Sequence, residues 1–182
     1  MAGDLRQYVF QDWRTNAGSV ISQTLAALFR LAQFANKQSR FVRPFVKVPY
    51  FVAALVTGFE IETGTAIGPR LRIFHPHSIV INAKSQIGSD CTLRHGVTIG
   101  NKGSGKNPDL CPVLGDRVDI GAGASIIGPI TIGDDVTIGI GSVIVKSVPA
   151  GSTVVGNPAR IVESTTDDIP GKGSSGSEQF DL

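Results

Sequence analysis

The chain has 182 residues, 41% of them hydrophobic, with 17 Lys and Arg against 15 Asp and Glu for a formal net charge of +2. That length suits one domain with at most a small appendage. No basic stripe is interleaved with aromatics, which argues against nucleic-acid binding, and two cysteines, Cys91 and Cys111, make no disulfide framework, which favours a reducing compartment such as the cytoplasm.

The charge is uneven along the chain. Residues 1–56 carry seven basic and two acidic side chains, whereas residues 163–182 carry one and five. Acidic Asp4 and the lack of an apolar run at the start predict no signal peptide. Residues 1–15 are mixed and predict a helical or irregular lead-in. Between residues 19 and 37, Ile21, Leu25, Leu28, Phe29 and Ala32 recur at helical spacing and form one apolar stripe, with Ser19 as a capping residue. Arg40, Arg43 and Lys47 follow, and Pro44 and Pro49 are expected to interrupt any long helix. Residues 46–56 are largely apolar but short for a membrane span. They read as a helix packed on the end of the domain or in a subunit contact. The sharper reading makes residues 38–56 an interfacial segment that rests on anionic lipid through those basic side chains.

From Gly58 a different period takes over. Ile61, Ile67 and Ile73 are six residues apart; the phase then slips by two, and Ile81, Ile87, Leu93 and Ile99 resume the count of six. The register stops at Gly100. Residues 100–113, rich in Gly, Asn, Lys and Pro, read as an excursion. Leu114, Ile120, Ile126, Ile132, Ile138 and Ile144 then restart the ladder, with glycine dominant at the next position and Val118, Ala124, Ile130, Val136, Ser142 and Val148 four residues on. A helical period cannot hold a six-residue repeat in phase, and simple strand alternation puts no glycine at a fixed offset. The repeat therefore predicts a parallel β-helix, three hexads to each triangular coil of about 18 residues, about five coils in all. The aliphatic and the residue four later point inward, so Cys91 is expected to be a small core hydrophobe. Residues 163–182 have no apolar period and predict a disordered tail. The expected organisation is a helical region at 1–56, a solenoid at 57–162 and that tail.

All three histidines lie in the first half of the solenoid. His75 follows Ile73 by two residues and His95 follows Leu93 by two, a separation of twenty, or one coil plus the slip. Both should project outward from equivalent places on adjacent coils, beside an excursion able to close over them. Two such imidazoles point to acid–base chemistry. The direction of His77, near the slip, is open. Glu60 lies fifteen residues before His75, which puts it around a corner on the neighbouring coil, where a carboxylate can orient a general base. The bland reading is an ordinary surface glutamate. The histidines and Cys111 lack the spacing of a zinc site, so no metal is expected.

The ladder, the excursion and the closing GNPARIV resemble the left-handed β-helix acyltransferases, the hexapeptide-repeat family. The stretch TGFEIETGTAIGPRLRIFHPHSIVINAKSQIGSDCTLRHGVTIGNKG, residues 57–103, is similar to serine O-acetyltransferases and, more closely, to exopolysaccharide O-acetyltransferases of the colanic acid type. The likeness covers residues 55–162, with a weaker echo in DLR at 4–6. It implies acetyl transfer from acetyl-CoA to a hydroxyl. It makes His75 the general base, Glu60 its orienting carboxylate, and His95 a ligand of the acceptor or of the developing oxyanion. It places His77, Phe74 and Cys111 at the acceptor. It lines the cofactor groove with Gly100, Asn101, Ala122 and Ile140, and puts Lys146 and Arg160 on the CoA phosphates. It also implies a homotrimer with sites between solenoids. Serine enzymes carry an aspartate where this chain has Phe74 and a histidine where it has Cys111, and both help to hold the amino acid. Phe74 leaves a charged group unmatched, so a saccharide or lipid-linked saccharide acceptor is favoured, with the protein in the cytoplasm or at the inner membrane face. Serine O-acetylation in cysteine synthesis is the alternative; a non-catalytic scaffold or a zinc-dependent relative is the reading of another class.

Overall fold

The computed structural model describes residues 5–36, 43–105 and 109–162. Expectations placed on Asp4, Lys37, Arg40 and the 163–182 tail lie outside them. Three helices come first: α1 (Leu5–Val9), α2 (Val20–Ala35) and α3 (Arg43–Thr57). The chain then winds into coils of short strands. The first coil holds β1 (Phe59–Ile61), β2 (Ala66–Ile67) and β3 (Arg72–Phe74), and the second β4 (Ile79–Ile81), β5 (Gln86–Ile87) and β6 (Thr92–Arg94). The third holds β7 (Thr98–Gly100), β8 (Val113–Leu114) and β9 (Asp119–Ile120), and the fourth β10 (Ser125–Ile127), β11 (Thr131–Ile132) and β12 (Thr137–Ile138). The last has β13 (Val143–Ile144) and β14 (Thr153–Gly156), and β15 (Ala159–Val162) folds back antiparallel to β14.

Stacking these coils makes three parallel sheets, ordered β1-β4-β7-β10-β13, β2-β5-β8-β11 and β3-β6-β9-β12-β14, the last closed by β15. The hexad ladder is the core. Leu114, Ile120, Ile126, Ile132, Ile138 and Ile144 are each 3% exposed or less, and Val118, Ala124, Ile130, Val136, Ser142 and Val148 are buried with them. Register explains the irregular spacings. Ile126 sits beside Ile144, the regular step, whereas Ile73 sits beside Leu93, so the first coil is two residues longer. Ile87 sits beside Leu114, so the excursion is looped out between β7 and β8 without disturbing the stack. Glycine follows the ladder residue where coils touch: a Cβ on Gly121 would lie 2.6 Å from the Gly139 carbonyl carbon.

The helical region covers the rim of the first coil and supplies partners to its backbone. Asp12 accepts from the Leu71 amide at 2.9 Å, and Asn16 accepts from Ile73 N at 2.7 Å and donates to the Leu71 carbonyl at 2.8 Å. Arg30 donates to the carbonyls of Ile67 and Gly68 at 2.8 and 2.6 Å, Gln33 to that of Thr65, and the Tyr50 hydroxyl to that of Ile61 at 2.6 Å. All three sheets thus find polar partners at this end. Ser19 caps α2 as expected, accepting from Ser22 N. Two expectations are corrected. Ile21 is 55% exposed; the buried stripe of α2 starts at Ser22 and Leu25. Pro49 does not interrupt α3 but lies inside it. Position 49 is exposed, so the carbonyl that loses its donor there can turn to water.

Candidate active site at a solenoid corner

Corners between the third and first sheets turn through left-handed backbone at Gly58, Ser78, Gly96, Gly123 and Gly141, with φ from 53° to 70°. From Ser78 on, each corner amide bonds one turn back: Ser78 N to Thr57 O at the end of α3, Gly96 N to His77 O, Gly123 N to His95 O and Gly141 N to Ala122 O, at 2.8–3.0 Å. His77, His95, Ala122 and Ile140 are therefore successive members of one row down this edge.

His75 enters the row by a different device. Ile73 points inward and Phe74 outward, so strand alternation would send His75 into the core. Its φ of 51° breaks the alternation and leaves the side chain exposed. Left-handed backbone costs a residue with a Cβ about 1–2 kcal/mol, and the two-residue slip is where the chain takes this turn. The β3–β6 register sets Phe74 beside Arg94 and carries His75 to His95. Their ring centroids are 6.1 Å apart with planes at 72°. This is the pairing that the twenty-residue separation predicts.

Glu60 projects outward from β1, in the same first coil as His75 and not on the neighbouring coil as expected, because that coil is 20 residues long and a separation of fifteen stays within it. It lines a groove of about 460 Å³ under α3, with Lys47, Tyr50, Phe51 and Leu55. Burial, aided by the Glu60 charge, holds the Tyr50 hydroxyl well above the usual phenol range, so it serves as a neutral donor. Among the described residues, the side chains of Glu60, His75, His77 and His95 make no hydrogen bond or ion pair within the chain. The structure thus brings the two imidazoles together and leaves the carboxylate unjoined to them.

The cofactor candidates fall on separate edges. Ala122 and Ile140 share the histidine row. Gly100 pairs with Ile127 and Ile126 with Ile144, which places Gly100, Asn101 and Lys146 on the opposite edge of the first sheet. Lys146 and Arg160 converge on one cavity of about 330 Å³, lined also by Val154 and Pro158. Cys111 is buried at the end of the excursion. Among the described residues, no group of three or more His, Cys, Asp or Glu side chains is placed to hold a metal ion.

Sequence reasoning missed the surroundings of Phe74. The ring is 42% exposed and has two guanidiniums over it, Arg72 at 5.9 Å and Arg94 at 5.5 Å from its centroid. Arg94 also pairs with Asp119 and donates to the Ile120 carbonyl. The signal was available. Arg72 and Phe74 flank inward Ile73, and Arg94 follows inward Leu93, so all three share the outward face.

No family model matches the chain. The Escherichia coli protein named colanic acid biosynthesis acetyltransferase WcaB is 35% identical over 160 residues, spanning 84% of this chain and 98% of that protein. A serine acetyltransferase of Mycobacterium tuberculosis is 44% identical over 110 residues, 59% of this chain and 47% of that protein. Soybean serine acetyltransferase matches in structure with a TM-score of 0.75 at 32% identity, over 87% of this chain and 69% of that one.

Proposed function

The chain belongs to the hexapeptide-repeat O-acetyltransferase family, and from that premise we propose that it transfers the acetyl group of acetyl-CoA to a hydroxyl of a saccharide or polysaccharide precursor, with His75 as general base. The observation that carries the site is the exposed His75–His95 pair, whose rings stand 6.1 Å apart at the corner between the third and first sheets; the excursion, expected beside them, leaves instead from the opposite edge of the first sheet, between β7 and β8. Acetyl-CoA supplies an acyl carbon activated as a thioester. His75 takes the acceptor's hydroxyl proton as the new C–O bond forms, and returns that proton to the sulfur as the C–S bond breaks. His95 donates to the acceptor or to the oxygen on which negative charge develops. Phe74 and His77 border the acceptor, and Cys111, on the excursion at the opposite edge, is assigned to the acceptor pocket of a neighbouring subunit. Lys146 and Arg160, sharing one cavity, suit the phosphates of the donor. Gly100, Asn101, Ala122 and Ile140 are assigned to the pantetheine groove.

These residues sit on two edges of one prism, and among the described residues the Glu60 side chain makes no hydrogen bond or ion pair. Both facts favour a homotrimer in which an edge of one solenoid faces the other edge of its neighbour, the Glu60 carboxylate there completing the histidine site. Light scattering tests this through the mass in solution. Among the described residues no helix is long and apolar enough to cross a membrane. Phe45, Val48, Phe51, Val52, Leu55 and Val56 are exposed on α3, and this face is where contact with a lipid surface at the cytoplasmic side would be made; vesicle flotation tests it.

The second reading is serine O-acetylation, supported by the serine acetyltransferase relatives. Thiol release from acetyl-CoA, run with sugars and with serine, separates the two. His75→Ala should lower turnover on the preferred acceptor by about 10²–10⁴-fold. Undiminished turnover would remove the general-base role.

A further inference from the structure

We infer that the acceptor carries a negative charge beside the hydroxyl that is acetylated, and that Arg72 reads it. This rests on the O-acetyltransferase reading above and narrows its acceptor class. Three arginines on the outer faces of the coils are already matched: Arg70 to Asp90 at 2.6 Å, Arg117 to Asp135 at 2.6 Å, and Arg94 to Asp119. Arg72 differs from them. Among the described residues its side chain makes no hydrogen bond and no ion pair, yet it is not a loose surface cation. Its guanidinium packs at 5.9 Å over the Phe74 ring, a contact that restrains a long side chain while leaving its five donors unused.

Its placement connects it to the chemistry. Arg72 stands on β3, the strand that ends at Phe74 and delivers His75 to the corner. β3 is the edge strand of its sheet, so no further strand covers the far side of this face. Phe74, 42% exposed beside the two guanidiniums, keeps part of its ring open to solvent on the strand that leads to the histidine pair. Arg94 borders the same ring, but its donors are committed to Asp119 and Ile120. The guanidinium with donors to spare is therefore Arg72. A planar fork of this kind recognises a carboxylate or a phosphate bidentately. A hexuronic acid and a sugar phosphate are the two sources of that charge.

The experiment measures kcat/KM for thiol release from acetyl-CoA with three probes: methyl glucuronide, glucose 1-phosphate and neutral methyl glucoside. We expect at least one charged probe to exceed the neutral one by about tenfold, the scale of a charge-assisted hydrogen bond. Whichever charged probe is favoured identifies the source. In Arg72→Gln the charged-to-neutral ratio should collapse toward unity, mainly through KM, and Arg72→Lys should restore part of it. Equal use of all three probes by the unaltered enzyme, or an unchanged ratio in Arg72→Gln, overturns the inference and leaves saccharide acetylation standing. Turnover on serine with none on any sugar overturns the saccharide reading itself, and this inference with it.

Discussion

Replacing Asp12 by alanine should unfold the rim of the first coil. Its carboxylate accepts from Arg30 Nε at 2.7 Å and from the Leu71 amide at 2.9 Å, and both charged side chains are 1% exposed. Asp12→Ala leaves a guanidinium buried without its counter-charge, a change that costs about 3–5 kcal/mol. It also strands the Leu71 N–H, worth about 1–3 kcal/mol when buried and unmet. The two losses share one site and do not simply add, so a net loss of about 3–5 kcal/mol is expected. At this chain length each kcal/mol moves the midpoint by about 2–4 °C, so Tm should drop by roughly 10 °C. Guanidinium denaturation followed by circular dichroism reads the free energy, and thermal melting reads the midpoint. The double variant Asp12→Leu with Arg30→Met removes both charges and should lose less than Asp12→Ala alone. A single-variant loss below about 1 kcal/mol would refute the claim that this pair fastens the helices to the coils.

Three further outcomes are open to measurement. Lys146→Ala combined with Arg160→Ala should raise the KM for acetyl-CoA by about tenfold or more, and the increase should shrink when 3′-dephospho-acetyl-CoA is the donor or when salt is high. Gly121→Ala puts a Cβ 2.6 Å from both the Gly139 carbonyl carbon and the Ile140 amide nitrogen; overpacking of backbone should cost about 1–3 kcal/mol and lower Tm. Burial pushes the Cys91 thiol up to about 11. Native protein at pH 8 should therefore resist alkylation at Cys91 until it unfolds. Because that folded value lies above the ordinary thiol value of about 8.5, the contribution of Cys91 to stability is whole below pH 8.5 and declines as pH rises toward 11.

The solenoid was legible because one side-chain rule repeats. Each ladder aliphatic and the residue four later face a core of fixed width, so Leu114 through Ile144 read as one column before any coordinate is known. The histidine pair was legible for the same reason, since a separation of twenty is a coil plus a slip. The outward throw of His75 depends on a left-handed backbone angle that no periodicity announces. The cap was illegible because Asp12, Asn16 and Arg30 are residue types that usually face water; only the unpaired backbone of the first coil gives them a reason to be buried. Pro49 misled because the rule against proline assumes a buried carbonyl, and this position faces solvent. Arg72 escaped notice because its meaning depends on a neighbour two residues away and a strand one coil below.

The two ends of the prism have a bearing on what the protein avoids. A stack of parallel coils offers, at each end, open strands onto which another stack could in principle add, as cross-β fibres do. Here one end is sealed by side chains from the helices, and at the other β15 runs backward along β14. Addition of a further stack is blocked at the helical end, and at the other the third sheet stops at a reversed strand while the first and second end on β13 and β11.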